Sequence, residues 1–444
     1  MARILDWLYG MLWGTPMLVL MLGVGVWLTA CTRFVQLRLF PQAVRRFLRR
    51  DSPGGGVSPF RALCTALAAT VGTGNLVGVA GAICLGGPGA VFWMLFFAFF
   101  AMAVKFAEAA LAVRFRQRQG SEIVGGPMYM IRSRLPAVLQ PMAGFYCVCG
   151  VLASFGVGNL TQVNAIVTGV QSIRPEISPV AIGLLLTVLV GFAFWKGADS
   201  IGGIAEKLIP YAASIYFALC LFFLFRRAWL IPKAFHDIFT GAFSPKAVTG
   251  GLIGSAVRAV QVGCSRGVFT HEAGMGTASI AHASAQVDHP AEQGMMGLVE
   301  VFLDTFVICT MTALVILCSG VPISYGTDSG GALTVCAFSA VYSSFGKIIV
   351  AAFLACFAYA TILGWSLYGL RCAQFLFGQK AATAFFVLQT AAVTLGAVLK
   401  TPTIWKMAEI VNGLMAIPNL ITLSFLSPEL RKLTNSYTCE TSRR

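Results

Sequence analysis

From Ala62 to Val104 the chain runs 43 residues without an Asp, Glu, Lys or Arg. An apolar helix crosses the hydrocarbon core of a bilayer in about 20 residues. This run is therefore long enough for two passes, and the Gly86-Gly87-Pro88-Gly89 cluster inside it supplies a turn between them. Only 11% of the 444 residues are charged, against about 25% in soluble domains, so the pattern is general. Charge-free runs also cover 7–32, 135–173, 177–195, 208–225, 305–327, 348–370, 381–399 and 410–428. The run at 135–173 is read as a short re-entry followed by a helix. A Gly-rich segment at 249–283 carries Arg258, Arg266, His271 and Glu272; it is read as a further span rather than as a loop. The expectation is an all-α membrane protein of about 11 transmembrane helices.

The formal net charge is +15, which in a soluble chain would suggest nucleic acid. Here the basic residues neither line one helix face nor alternate with aromatics. Arg38, Arg45, Arg46, Arg49 and Arg50 sit between apolar runs, as positively charged cytoplasmic loops do, so nucleic acid is excluded as a partner. That bias also places Arg114, Arg116, Arg118, Lys196, Lys380 and a tail with Arg431, Lys432, Arg443 and Arg444 on the cytoplasmic side. The N-terminus is then outside and the C-terminus inside a bacterial plasma or inner membrane; only Arg226, Arg227 and Lys233 dissent. Leu28-Thr29-Ala30-Cys31 resembles a lipoprotein cleavage box, but the charge-free run 7–32 is long enough to span and is read as a retained helix. The 13 cysteines lie mostly inside apolar segments. There they act as small hydrophobes, so no disulfide framework or zinc site is implied.

Two membrane-length segments are interrupted by glycine. One reads Thr70-Val71-Gly72-Thr73-Gly74-Asn75, the other His271-Glu272-Ala273-Gly274-Met275-Gly276. Glycine is unfavourable in a helix interior by about 1 kcal/mol relative to alanine, so clusters of two or three predict a break. A break inside hydrocarbon frees backbone groups, which is tolerated only against protein or a water-filled cavity. Freed N–H groups attract a carboxylate and freed carbonyls a cation, so two breaks together suit a zwitterionic amino acid and a small metal ion. With the first helix set aside, the broken helices open two sets of five. An odd number per set inverts the second relative to the first, the arrangement of a secondary transporter. The corresponding divisions are 1–40 (extra N-terminal helix), 41–60 (basic cytoplasmic loop), 61–227 (first repeat), 228–248 (extracytoplasmic loop), 249–428 (second repeat) and 429–444 (cytoplasmic tail).

The stretches TALAATVGTGNLVGVAGAICLGGPGAVFWM (65–94), KFAEAALAVRFR (105–116), GGPMYMI (125–131), GVFTHEAGMGTASIAHA (267–283), TILGWSLYGLR (361–371) and NGLMAIPNLI (412–421) resemble the alanine or glycine:cation symporter family. The resemblance implies the five-plus-five inverted repeat of the bacterial leucine transporter, and sodium-coupled uptake of alanine or glycine by alternating access. It implies substrate contacts at Thr73, Gly74, Asn75, Gln162, Met275, Gly276, Thr361 and Trp365. The chain departs from the family pattern where His271 replaces an asparagine, Leu370 a glutamate and Ala360 a hydroxyl residue. His271 opens an alternative, proton coupling, since histidine titrates near neutral pH. A broader range of small neutral amino acids is a further alternative.

On this reading the substrate carboxylate meets N–H groups at Gly72 to Asn75, and its ammonium meets carbonyls near the second break with Gln162 and Thr361. Trp365 and Met275 keep the pocket small. Sodium meets carbonyls of Ala69 to Gly72 and the Thr361 hydroxyl. Glu272 and His271 serve coupling or gating, with Arg266 as an ion-pair partner for Glu272. Lys105 is expected to pair with Glu108, three residues on, and Glu300 shares a face with Asp304. Gly263-Cys264-Ser265-Arg266-Gly267 matches G-x-S-x-G, but a hydrolase elbow needs a sheet beneath it, which this chain does not offer. A channel would need a ring of carbonyls or charges around an open pore, whereas paired breaks in one chain suit an enclosed site.

Overall fold

The computed structural model describes residues 2–49, 56–120, 122–195, 197–249, 256–327, 330–399 and 402–443. Arg50, Lys196 and Arg444, three of the basic positions read for orientation, lie outside the described residues, as do residues 250–255 of the Gly-rich segment. The described chain is helical apart from one two-stranded hairpin, Gln117–Gln119 paired antiparallel with Glu122–Val124. Among the described residues, eight helices are long and apolar enough to cross a membrane, and nine if the bent pair Pro59–Thr70 and Gly74–Gly86 counts as one span. That is fewer than the eleven expected from charge-free runs. Pro179–Trp195 is apolar but only 17 residues long, and the Gly-rich segment is divided into Ala256–His271 and Thr277–His282.

The remaining differences have local causes. The run at 135–173 holds no re-entry; Ala137–Gln171 is one helical span, widened to a π-helical turn at Gly156–Leu160. The span expected at 305–327 is Pro290–Leu317, because Glu292, Glu300 and Asp304 are buried within the helix rather than excluded from it. The basic stretch at 41–60 includes a helix, Phe40–Arg49, and the tail at 429–444 is helical over Ser427–Arg443. Ile231–Phe243 is a helix inside the expected loop 228–248.

The extra N-terminal segment packs along Pro402–Phe425. Trp13 Nε1 donates to the Glu409 carbonyl (3.0 Å), and Lys406 pairs with Asp6. The core lies where Gly89–Arg114, Pro290–Val301 and Phe345–Phe377 close around the two broken segments. Small residues let backbones approach there. A Cβ on Gly297 would meet the Lys105 carbonyl at 2.7 Å, and one on Gly364 would meet the Ala69 backbone nitrogen and Cβ at 2.8 Å. Those obstacles are mainly rigid backbone, so Gly364→Ala should lower stability by about 1–3 kcal/mol through overpacking. A fall in the unfolding temperature of the detergent-purified protein checks this; an unchanged temperature would mean the two helices part freely at that contact.

Candidate functional site

Both glycine-rich stretches are broken. At the first, Pro59–Thr70 ends at Val71, and the following half-helix Gly74–Gly86 is bent by 55° from it. The half-helix begins as a π-helical turn, Gly74–Gly78. Asn75 holds the break together. Its Oδ1 accepts the Gly72 N–H (2.9 Å), and its Nδ2 donates to Asp304 Oδ1 (2.7 Å). Asp304 sits in another π-helical stretch, Phe302–Cys309, and its Oδ2 accepts from the Thr305 hydroxyl (2.8 Å). Among the described residues, the N–H groups of Thr73 and Gly74 have no backbone partner.

Two further side chains converge on Gly72. A Cβ there would sit 2.7 Å from Thr361 Oγ1 and 3.8 Å from Gln162 Oε1. Gln162 Nε2 donates to the Val157 carbonyl (3.1 Å), which leaves its Oε1 a buried acceptor without a partner. Ala69 packs on Gly364, one turn beyond Thr361. Gly74 faces the second broken segment directly, since its Cβ would lie 2.9 Å from Thr270 Cγ2. A cavity of about 370 Å³ reaches Thr73, Gly74, Val77 and Gly78; Tyr9, Arg266 and Phe269 also line it.

The second break is built differently. Ala256–His271 ends at Glu272, which takes φ = 52°, and Gly274 and Gly276 follow at 94° and 79°. Left-handed backbone at two nearby positions is what glycine permits at little steric cost. Two of the N–H groups freed here are taken by a carboxylate: Glu108 Oε1 accepts those of Gly274 (2.9 Å) and Gly276 (3.0 Å), and also the Asn419 amide (2.7 Å). Glu272 does not pair with Arg266. Its Oε1 accepts from Trp365 Nε1 (3.0 Å) and its Oε2 from the Thr277 hydroxyl (2.6 Å). Trp365 is fully buried and packs on Gly158. His271 Nδ1 accepts the Ala273 N–H (3.0 Å).

Sequence reasoning thus brings Gly72, Thr361 and Gln162 into one cluster, and Gly74 with Asn75 beside it. Met275 and Gly276 are fully or nearly buried, but Gly276 packs against Pro127 and Asn419 instead of the first break. Two residues had no assigned role: Asp304, which anchors Asn75, and Asn419, which caps the second break. The i, i+4 spacing of Glu300 and Asp304 was the available signal for the first.

Lys105 does not pair with Glu108. Its Nζ lies 2.9 Å from Glu300 Oε1, both side chains being buried. Glu300 Oε2 also meets His282 Nε2 (2.8 Å), and Gln293 Nε2 meets His282 Nδ1 (2.6 Å). An amide nitrogen can only donate, so His282 Nδ1 is the acceptor and its Nε2 carries the proton toward Glu300. Removing one member of a buried ion pair costs about 3–5 kcal/mol, because it strands the other charge. Lys105→Met should therefore destabilise by that amount, and Lys105→Met/Glu300→Met should recover most of it. Thermal unfolding of both variants checks this; equal losses would show that the pair is not the unit of stability.

The sodium:alanine symporter family matches this chain over residues 1–444. The sodium/alanine symporter AgcS of Methanococcus maripaludis is 40% identical over 426 residues, covering 94% of this chain and 92% of that protein. Among solved structures, MhsT in complex with L-phenylalanine superposes with a TM-score of 0.56 at 14% identity, covering 86% of this chain and 99% of that one. A Na⁺-coupled sialic acid symporter in its substrate-bound outward-open state gives 0.55 at 12% identity, covering 92% and 87%. These are folds of the leucine-transporter type, as expected above, and they belong to membrane transporters rather than to enzymes. The chain is a multi-pass membrane protein and a secondary transporter, and it belongs to the sodium:alanine symporter family.

Proposed function

We propose that this chain carries out sodium-coupled symport of a small neutral amino acid, alanine or glycine, by alternating access, and that two five-helix repeats of opposite orientation perform it. The observation that carries the reading is the first break. Unpartnered N–H groups at Thr73 and Gly74 stand beside two side-chain oxygens, those of Thr361 and Gln162, gathered on Gly72. The N–H groups suit a carboxylate, and the unpaired Gln162 Oε1 suits an ammonium. The room is small, because neither Gly72 nor Gly74 admits a Cβ without displacing a neighbour, and Trp365 is held in place by Glu272.

Two places suit sodium, which takes oxygen ligands. One is the Ala69 to Gly72 stretch facing the Thr361 hydroxyl. The other is the Asn75–Asp304 pair, where, among the described residues, a buried carboxylate has neutral hydrogen-bond partners and no basic one. Each cation moved inward gains about 2.3 kcal/mol per 100 mV of membrane potential, so accumulation needs no nucleotide. Glu272 gates through its bonds to Trp365 and Thr277. His271 is a poor proton carrier in this conformation, since its Nδ1 is engaged as an acceptor by a backbone N–H. An imidazolium would lose that bond, which favours sodium over proton coupling. The cavity at the first break faces the N-terminal helix, while the Lys105–Glu300–His282 network fills the half near Pro59.

Proteoliposomes loaded with the purified protein should take up labelled alanine when sodium is present outside, and not with potassium or a proton gradient alone; glycine should compete. Uptake driven by protons without sodium would overturn the coupling. Gly74→Leu should abolish uptake by filling the contact with Thr270. Asp304→Asn, which preserves shape but removes the charge, should raise the half-saturating sodium concentration about tenfold, equivalent to the roughly 1.4 kcal/mol scale of one charge-assisted ligand. Unchanged sodium dependence in that variant would remove Asp304 from the ion site.

A further inference from the structure

The chain leaves its first long helix, Thr15–Cys31, through a sharp elbow. Arg33 and Phe34 both adopt left-handed backbone, with φ of 55° and 57°. Beyond it lie a short helical turn, Val35–Arg38, and the helix Phe40–Arg49. That helix has two unlike faces. Phe40, Ala43 and Phe47 recur at i, i+3 and i+7 and turn inward. Ala43 is fully buried, Phe40 stacks edge-on to Phe302 (4.8 Å between centroids), and Phe47 meets Phe60 (5.7 Å). Arg46 completes the attachment through Glu292 (2.8 Å). The elbow is thereby fastened to the two helices that carry the site: Pro59–Thr70, which ends at the first break, and Pro290–Val301, which continues to Asp304.

The opposite face is exposed, and the neighbouring Arg38 donates to the Thr32 carbonyl (3.3 Å). Arg33, Arg38, Arg45 and Arg49 are exposed, and among the described residues none of the four is paired with an acid. Large apolar side chains are exposed between them: Phe34 at 52%, Leu37 at 61% and Leu48 at 70%. Arginines interleaved with bare aromatic and aliphatic groups fit neither water nor hydrocarbon. They fit the boundary, where apolar side chains enter the acyl region and guanidinium groups reach the headgroups. Four uncompensated positive charges at that depth select a negative headgroup.

We propose that the elbow, residues 33–49, is a docking surface for the headgroups of anionic phospholipids, and that lipid held there steadies the two site helices beneath it and speeds transport. The test uses the full-length protein and the variant Arg38→Gln/Arg45→Gln/Arg49→Gln, none of whose positions touches the site. In detergent with equal phosphatidylglycerol and phosphatidylcholine, native mass spectrometry counts the lipids retained. The natural protein should prefer phosphatidylglycerol, and the preference should fall about fivefold for each arginine removed. Inorganic phosphate should displace the lipid no better than chloride at equal ionic strength, which separates a headgroup site from a free-phosphate site. In phosphatidylcholine vesicles the two proteins should transport alike. Added phosphatidylglycerol should raise the rate of the natural protein only. A natural protein without lipid preference, or a variant that keeps it, overturns the docking surface. Equal stimulation of both proteins overturns its link to transport.

Discussion

The backbone of a broken helix has to find hydrogen-bond partners where there is no bulk water to supply them, and the rest of this structure is arranged around that requirement. Each unsatisfied group in hydrocarbon costs several kcal/mol. At the first break one side chain, Asn75, closes the gap by accepting from Gly72, and it is itself held by Asp304. At the second break a carboxylate, Glu108, collects two backbone N–H groups and an amide at one oxygen. The two solutions are unequal. At the second break Glu108 already holds the Gly274 and Gly276 N–H groups, whereas at the first the N–H groups of Thr73 and Gly74 have no partner among the described residues. The proposed reading therefore puts the substrate carboxylate at the first break, where Glu108 does not compete for the N–H groups.

Charge follows the same asymmetry. Glu300 is balanced by Lys105 and also meets His282. Among the described residues, Glu108, Glu272 and Asp304 are buried and hydrogen-bonded by neutral donors only. Buried carboxylates without a basic partner are costly in a low-dielectric interior, and the cation that we propose near Asp304 would offset part of that cost. The basic elbow that we propose as a lipid-docking surface is fastened to the same two helices.

Much of this was legible in the amino-acid order. Charge-free runs located most of the long helices, and glycine clusters located both breaks to within a residue or two. The meeting of Gly72, Thr361 and Gln162 came from the family resemblance, since no periodicity links residues nearly 300 positions apart. What stayed hidden was pairing. Lys105 and Glu108 are one turn apart and looked like partners, yet Lys105 reaches across to Glu300 while Glu108 points to the second break. Charge-free counting also displaced the Pro290–Leu317 span, because Glu300 and Asp304 are inside the protein and inside the helix. Side-chain partners are tertiary facts, and a sequence read by apolar runs treats every buried charge as a boundary.

The most direct measurement of the central claim is an experimentally determined structure of the protein with alanine and sodium bound. This account places the alanine carboxylate on the Thr73 and Gly74 N–H groups, its ammonium toward Gln162 Oε1, and an ion beside Thr361 or Asp304. Alanine found instead against Glu108 and the second break, with the Thr73–Gly74 turn vacant, would contradict it.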